Sequence, residues 1–458
     1  MTLRAAQPDT RPDRTPATTA RPGNDDPTAP RPLRFLLESG TYQIDNVGDI
    51  AMLQRTVYRL LEAHPAARID VITEQPDRLA QVLPEVYPVP AAPWFRLRVV
   101  PLPRWAEWTG PVRRVRWREK LLAGRYPKLA RLGKRLDRWA TRQERDEADA
   151  FYQAVNAADA VLAAGGGYAS DPFHEHAWKV FATLNLAQGL GKPTAMFGLG
   201  LGPFTRPDLL QHGGPVLRRL DVLGLREPET GPAVAASLGV RADRVFVTGD
   251  DAIPLARAFT LPPVAQRQAM GVNLRLAETA DVPPEALPRV SAGVRQAAEA
   301  RDATLRPVIV RTALSPANDV DAVAQVFGPE VDLSEARGVR SPQEAMAQIA
   351  RCRVVVTGAY HNAVFAGAMG VPVVGLSRSA YYVSKLGGAA KQFGPGVQVL
   401  SLTDPDLASK LTDSLLNLWD NADALAEPLR AAADRQTAQG EAAYERFLAA
   451  VKQPAATG

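Results

Sequence analysis

The chain has 458 residues, 46% hydrophobic and 22% charged, which is ordinary globular usage and excludes a wholly disordered or fibrous protein. The single cysteine, Cys352, excludes an internal disulfide and a cysteine-built zinc site. Because the sequence shows neither a long apolar run nor a secretory signal, we expect a cytoplasmic protein without a membrane-spanning helix.

The net charge of +5 is unevenly distributed along the chain. Between Arg96 and Arg145 there are sixteen Lys and Arg residues against four Asp and Glu, a local charge of +12 that leaves −7 for the rest. The excess belongs to one segment and does not indicate a nucleic-acid-binding protein. Tryptophans alternate with its arginines, as in a helix at a membrane interface. We favour the alternative of a solvated helical hairpin whose tryptophans pack on the first domain. These tryptophans are Trp94, Trp105, Trp108, Trp117 and Trp139.

The first half of the chain begins with a tail, residues 1–30, whose lack of hydrophobic period predicts disorder. From Arg34 onwards, short apolar runs alternate with helical periods, which indicates βαβ units and a parallel sheet. Helices are predicted at 49–63, 76–83 and 176–189. The predicted strands are 34–39, 68–73, 160–164, 194–199, 221–225 and 244–248.

The second half repeats this pattern after a proline-containing linker at 256–268. Ser341 is the predicted N-cap of a helix at 342–350, and the predicted strands are 270–274, 307–310, 353–357 and 372–376. The predicted fold is α/β with two Rossmann-like domains and a cleft between them. Its parts are an N-terminal domain (31–255) with a basic helical insertion (about 95–148), a C-terminal domain (269–403) and C-terminal helices (404–458) that pack back across the first domain.

Ligands of such sheets bind beyond the carboxyl ends of the strands, so the loops there are the candidate site. The first loop, 40–49, carries Asn46, Gly48 and Asp49, which suit either a plain helix cap, favoured for this loop alone, or an anion at a helix N-terminus. In the second, 164–171, a glycine triplet precedes Asp171; it forms either a tight turn or a close approach of backbone to ligand.

Three further loops carry weaker signals. The glycine-rich loop 198–203 is uninformative alone. Arg226 lies where a strand gives way to a helix and could bind a carboxylate or phosphate, although a surface salt bridge is the simpler interpretation. His361 begins a helix of small residues, where the helix N-terminus disfavours its charged form; a structural histidine bonded to a carbonyl is the alternative.

Taken together and in order, these loops resemble the polysaccharide pyruvyl transferase family. The matching segments are Asn-Val-Gly-Asp at 46–49, the glycine triplet followed by Asp171, Gly-Leu-Gly-Leu-Gly-Pro at 198–203, Arg226, Gly-Val-Asn-Leu-Arg at 271–275, and the stretch from His361 through Gly-Val-Pro at 370–372 to Lys385. Two positions depart from the family pattern. Ile50 replaces a frequent glutamate, and Ala359 replaces the arginine of Gly-Arg-x-His, which is expected to help hold an anionic donor.

The resemblance implies a fold like that of two-domain, B-type glycosyltransferases and transfer of pyruvate from phosphoenolpyruvate to a sugar as a ketal. It implies His361 as general acid, Asp49 or Asp171 as base or sugar ligand, and Asn46 as acceptor ligand. Arg226 would bind the donor, with Arg275 or Lys385 replacing the missing arginine. The glycines would offer backbone N–H groups: Gly165, Gly166, Gly167, Gly200 and Gly202. No cofactor beyond the co-substrate and no metal is implied.

The implied partner is a sugar or glycan precursor, which a lipid carrier could hold, with peripheral membrane contact through the basic segment. Two alternatives stay open because Ala359 replaces the family arginine. One is a glycosyltransferase or another transferase on the same scaffold, since a fold does not determine a function. The other is a family relative without catalysis that serves as a binding partner in glycan assembly.

Overall fold

The computed structural model describes residues 31–91 and 142–451, with the exception of Pro316. The predicted tail and all but the last residues of the basic insertion lie outside the described residues, so both stay predictions. Over the described part the chain forms two parallel α/β domains. None of the described helices is long and apolar enough to cross a membrane.

The first domain is built on a sheet with the order β3-β2-β1-β4-β6-β7-β8, in which β5 pairs with β6 and every pairing is parallel. Strand β6 is buried along its whole length, as expected where helices cover both faces. The strands are β1 (Arg34–Glu38), β2 (Arg68–Thr73), β3 (Tyr87–Pro90), β4 (Ala160–Ala163), β5 (Gly166–Ala169), β6 (Thr194–Leu201), β7 (Val222–Leu225) and β8 (Val245–Val247). Its helices are α1 (Val47–Ala63), α2 (Pro76–Val82), α3 (Arg142–Ala157), α4 (His174–Gly189), α5 (Pro207–Leu217), α6 (Thr230–Ser237) and α7 (Ile253–Arg257).

The second domain has a parallel sheet with the order β10-β9-β11-β12-β13. Its strands are β9 (Ala269–Val272), β10 (Thr304–Pro307), β11 (Cys352–Thr357), β12 (Val373–Ser377) and β13 (Val397–Ser401). The remaining helices are α8 (Ala286–Glu299), α9 (Asp319–Phe327), α10 (Ser334–Gly338), α11 (Pro342–Ile349), α12 (Tyr360–Met369), α13 (Ala380–Phe393), α14 (Leu407–Asp420) and α15 (Ala422–Leu448).

Local sequence explains several helix boundaries. Ser341 caps α11 as predicted, and Glu344 completes a capping box with it. Gly370 ends α12 in the left-handed region at φ 85°, a conformation that glycine adopts without the Cβ penalty. All ten residues of α12 are buried, which explains why this helix consists largely of small residues.

The C-terminal helix α15 returns to the first domain, as the sequence predicts. The Tyr444 ring stacks on Phe197 with centroids 3.7 Å apart, and the Tyr444 hydroxyl donates to Asp251 Oδ2 at 3.3 Å. Asp251 also forms a buried ion pair with Arg59 at 2.6 Å. The loop that follows β8 is therefore held in place by α1 on one side and by α15 on the other.

Two predictions about strands are wrong. The strand predicted at 307–310 lies at Thr304–Pro307, because the buried apolar residues Val308, Ile309 and Val310 continue past the strand end. The glycine triplet and the segment 198–203 were predicted to be loops, but most of their glycines lie within strands β5 and β6. Strand β3, with its two prolines at the sheet edge, was not predicted.

The strand order brings the candidate loops together. Each sheet reverses its direction of winding at one place, between β1 and β4 in the first domain and between β9 and β11 in the second. Such switch points leave a crevice beyond the carboxyl ends of the strands. The loops after β1 and β4 therefore lie across the cleft from those after β9 and β11.

Candidate active site

The two domains meet where α1 and α12 begin. Asn46 caps α1 by accepting a hydrogen bond from the Gly48 amide at 2.9 Å. A Cβ on Gly48 would lie 2.1 Å from Cγ of His361, so the glycine is required by close packing. The His361 ring of the second domain thus lies directly against the first helix of the first domain.

His361 is buried, and its Nε2 lies 3.7 Å from Oδ2 of Asp250. Neither atom has a hydrogen-bond partner among the residues that the structure describes. Burial lowers the pKa of His361 well below its ordinary value, and the nearby charges of Arg226 and Lys385 lower it further. The imidazole is therefore neutral at pH 7 in the ligand-free protein and points an unpaired nitrogen at a carboxylate.

Arg226 lies directly behind this pair, at the end of β7, and only 1% of it is exposed. Its Nη1 is 3.5 Å from Oδ2 of Asp250, and its guanidinium covers the Tyr360 ring at 4.1 Å. Within the described ranges, none of its three guanidinium nitrogens makes a well-formed hydrogen bond. Buried donors are normally satisfied, so this arginine indicates a ligand with several acceptor oxygens.

Lys385 lies on the same side, and its Nζ donates to the Tyr381 hydroxyl at 2.9 Å. That hydroxyl in turn donates to the Gly167 carbonyl at 3.0 Å. A Cβ on Gly167 would lie 2.2 Å from the Tyr381 hydroxyl and 2.9 Å from both Nη2 of Arg226 and Nζ of Lys385. Burial and the Arg226 charge lower the pKa of Lys385 well below its ordinary value.

Two carboxylic acids complete the group. Burial raises the pKa of Asp49 to about 6, an effect that Lys385 and Arg226 partly offset. Burial likewise raises the pKa of Asp250 to about 6, against the opposing charge of Arg226. Both acids can therefore exchange a proton near neutral pH, which suits a general base. Asp49, His361 and Lys385 line a cavity of about 550 Å³ between the domains.

The model of the polysaccharide pyruvyl transferase family matches residues 46–380, most of the chain. The chain belongs to this family. Membership indicates a transferase and agrees with the resemblance stated from the sequence motifs. No curated protein sequence matches the chain significantly.

Solved structures show the fold but share little sequence. A protein from Listeria monocytogenes described as a UDP-N-acetylglucosamine 2-epimerase has a TM-score of 0.53 and 16% identity, over 92% of this chain and 98% of that one. The kitacinnamycin glycosyltransferase has a TM-score of 0.52 and 14% identity, over 93% and 100%. A glycosyltransferase from Rickettsia africae has a TM-score of 0.52 and 9% identity, over 92% and 100%. These values establish the GT-B-like arrangement of two Rossmann-like domains.

Not every predicted site residue of this pyruvyl transferase family member lies in the cavity. Arg226 is outside its lining and lies behind Gly167, where a Cβ would be 2.9 Å from Nη2 of Arg226. Asp171 is also outside the lining. Its carboxylate accepts from the Thr205 amide at 3.0 Å, the Thr205 hydroxyl at 2.6 Å and the Arg206 amide at 3.1 Å. This arrangement fixes the turn after β6, so the geometry does not support Asp171 as a catalytic base.

Arg275 lines the cavity, but its guanidinium is already engaged. Its Nη1 donates to Asp319 Oδ1 and to the Ala317 carbonyl, each at 2.9 Å. Asn46 also lines the cavity, although its side-chain oxygen is used as the α1 cap. Of the two proposed replacements for the missing arginine, Lys385 is therefore the less engaged.

The structure shows a packing role for two of the predicted glycines. A Cβ on Gly200 would lie 2.8 Å from Nη2 of Arg226, so Gly200 and Gly167 provide room for the cations. The Gly202 amide donates a hydrogen bond to the Ala169 carbonyl at 3.0 Å. Of the five glycines predicted to offer N–H groups, only Gly167 lines the cavity; the others do not: Gly165, Gly166, Gly200 and Gly202.

The sequence analysis missed Asp250, Tyr360 and Tyr381. Asp250 follows β8 within Gly-Asp-Asp, so the rule that sites lie at strand ends could have found it. The two tyrosines carry no such signal. They reach the site because one is the first residue of α12 and the other is the second residue of α13.

Proposed function

We propose that the protein transfers the pyruvyl group of phosphoenolpyruvate to two hydroxyls of a sugar, forming a cyclic ketal and releasing phosphate. The observation that carries the proposal is the buried Arg226, whose guanidinium nitrogens are unsatisfied within the described residues. Together with Lys385 it offers two cations to one small ligand. A donor that bears both a carboxylate and a phosphate matches this charge.

The reaction is balanced in protons and bonds. Protonation of the donor methylene makes the adjacent carbon electrophilic, and a first sugar hydroxyl adds there and loses its proton. The C–O bond to phosphate then breaks, and the second hydroxyl closes the ring and loses a proton. Two protons leave the hydroxyls; one replaces the proton given to the methylene, and the other leaves with phosphate.

The site residues suit these steps in the following way. His361 is the general acid, because it lines the cavity and its Nε2, 3.7 Å from Oδ2 of Asp250, has no hydrogen-bond partner among the described residues. Asp49 is the candidate base, since its pKa of about 6 allows it to accept a hydroxyl proton near neutral pH. Arg226 holds the donor. Lys385 supplies the second positive charge in this chain, which has Ala359 at the arginine position of the family motif.

Calorimetric titration with phosphoenolpyruvate tests the proposal. Arg226→Lys keeps the charge but loses the planar set of donors, and hydrogen bonds to charged groups contribute about 1.5–3 kcal/mol each. We therefore expect the dissociation constant to rise by at least about tenfold. Arg267→Lys is the matched control, because Arg267 is equally buried at 1% exposure but lies away from His361 and Lys385, where its Nη1 donates to the Cys352 carbonyl at 3.4 Å.

The outcomes separate the competing functions. Binding that Arg226→Lys weakens and Arg267→Lys preserves supports the proposal, and phosphate release on adding a glycan acceptor completes it. If phosphoenolpyruvate does not bind but a nucleotide-sugar does, the alternative of glycosyl transfer is favoured instead. If neither binds, a non-catalytic role is favoured. Lipid linkage of the acceptor, membrane contact through the basic segment and a cytoplasmic location stay predictions from the sequence.

A further inference from the structure

One wall of the cavity is not used by the donor chemistry. Phe173, His176 and Lys179 follow each other at intervals of three residues at the start of α4, and all three line the cavity. Phe173 is among the few large apolar side chains of the described residues that are exposed, at 37%. Its ring lies 5.5 Å from that of Tyr381, the tyrosine bonded to Lys385. The row thus begins beside the donor site and leads away from it.

Polar groups cluster at the far end of this row. Lys179 Nζ lies 3.9 Å from Oε1 of Glu74 and 5.5 Å from the centre of the Tyr42 ring. The other oxygen of Glu74 accepts a hydrogen bond from the side-chain amide of Gln43 at 2.7 Å. A side-chain amide, a carboxylate and an ammonium group thus lie side by side on the cavity wall, and each can bond a hydroxyl.

The charges of this wall are already compensated. Lys179 is paired with Glu74, and across the cleft Arg311 is paired with Asp45 at 3.2 Å. Lys385, at the donor end, forms no ion pair with any described residue. A ligand with a net negative charge is therefore favoured at the donor end, whereas the wall of Phe173 suits a neutral ligand rich in hydroxyl groups.

We propose that Phe173, Gln43, Glu74 and Lys179 form the acceptor subsite, and that they bind a neutral glycan of at least two sugar residues. The apolar face of a pyranose ring packs on Phe173, and the hydroxyls of the next sugar bond to the polar cluster. This inference rests on the proposed function, because the donor site determines which end of the glycan reacts.

The length of the row supports more than one sugar. At a helical rise of about 1.5 Å per residue, the six steps from Phe173, which directly precedes α4, to Lys179 span about 9 Å along the axis of α4. A single pyranose ring cannot reach both ends of this span. The sugar that reacts must lie near His361 and Asp49, so the polar cluster contacts a sugar further along the chain.

A printed array of neutral and acidic mono-, di- and longer saccharides tests the inference, probed with the labelled full-length protein in the presence of phosphoenolpyruvate. We expect signal on a set of neutral saccharides of two or more units and not on the monosaccharides. Phe173→Leu and Glu74→Gln should each reduce that signal at least fivefold. Tyr87→Leu, which removes an aromatic ring 49% exposed outside the cavity lining, is the matched control and should leave it unchanged.

The same variants are titrated with phosphoenolpyruvate, so that a failed donor is distinguished from a failed acceptor site. Unchanged donor binding together with lost glycan binding in Phe173→Leu supports the inference. Absence of any glycan signal, equal signal on monosaccharides, binding confined to acidic glycans, or full signal in Phe173→Leu would overturn it while leaving the donor proposal intact. Absence of donor binding to the parent protein contradicts the proposed function itself.

Discussion

The protonation states of His361 and Lys385 depend on the charges that surround them. In the ligand-free protein, burial and the cations Arg226 and Lys385 lower the pKa of His361, and burial and Arg226 lower that of Lys385. An anionic donor placed between these cations adds several negative charges, which outweigh the effect of the cations and favour the charged forms of His361 and Lys385. The pKa values of His361 and Lys385 therefore rise when the donor binds. At a pH above the ligand-free pKa values, binding is accompanied by uptake of protons. Under the proposed mechanism, binding of the donor therefore gives His361 the proton that it transfers to the methylene.

Calorimetry at pH 8 in buffers of different ionisation enthalpy measures this uptake. At that pH the donor phosphate, with a second pKa of about 6, is already ionised and contributes little. We expect net proton uptake on donor binding, with a clear reduction in His361→Asn. His176→Asn is the matched control: this histidine also lines the cavity, but burial lowers its pKa to about 4 and its ring bonds to the Ser39 carbonyl. Proton release, or equal uptake in His361→Asn, would contradict the role of His361 as acid.

Single residues differ in how well their positions in the fold could be predicted from the sequence. Arg226, His361 and Asp49 were all predicted, because each follows a strand and carries a group that the chemistry needs. Asp171 satisfied the same criteria, yet it fixes a turn. A one-dimensional pattern cannot distinguish a carboxylate that accepts backbone amides from one that faces a cavity. Asp250 was missed because its neighbours have the composition of an ordinary turn.

At the scale of elements, the contact between the starts of α1 and α12 controls the position of His361. Gly48→Ala places a methyl group 2.1 Å from Cγ and Nδ1 of the His361 ring. Neither the buried ring nor the helix can move freely, and overpacking of this kind costs about 1–3 kcal/mol. We expect urea denaturation to show a loss of that size, together with a fall in turnover of at least tenfold because the acid is displaced.

Gly387→Ala is the control for this substitution. Gly387 lies within α13, two residues from Lys385, and a Cβ there meets no atom within 4 Å. Replacing glycine by alanine in a helix usually stabilises it by up to about 1 kcal/mol. Stability and turnover close to those of the parent in Gly387→Ala, with both reduced in Gly48→Ala, identify the clash as the cause. Normal turnover in Gly48→Ala would show that His361 need not lie where it does.

Helices and strands were predicted well where the hydrophobic periodicity and the capping residues agree, and poorly where close packing determines which residue a position requires. The strand order that joins the loops follows from alternating strands and helices, so the cleft could be inferred. The glycine-rich segments were interpreted as loops, although Gly198 and Gly200 lie within β6. The missing side chain of Gly200 leaves room for Arg226, which follows β7, whereas that of Gly198 leaves room for Asp251. Only the sheet brings these residues together, so local sequence cannot reveal the reason for the glycines.

At the scale of the whole molecule, the proposed donor site combines residues of both domains. Arg226 and Asp250 come from the first domain, whereas His361 and Lys385 come from the second. The domains also touch beside the site, where the Val47 amide donates to the Val310 carbonyl at 2.9 Å. A donor bound between the domains therefore stabilises the arrangement in which they are in contact, by about 2.7 kcal/mol when the donor concentration is 100 times the dissociation constant.

This stabilisation predicts a specific pattern of hydrogen exchange. Amides that exchange only when the domains separate should slow by about a hundredfold with saturating phosphoenolpyruvate. We expect protection at the first turns of both α1 and α12, and none in α14, which packs against α8 away from the cleft. Lys385→Met alters only the second domain, yet it should reduce the protection of α1 as strongly as that of α12, since one ligand bridges both. Protection confined to α12 would mean that the donor contacts one domain only, and the cleft between the domains would then not be the place where transfer occurs.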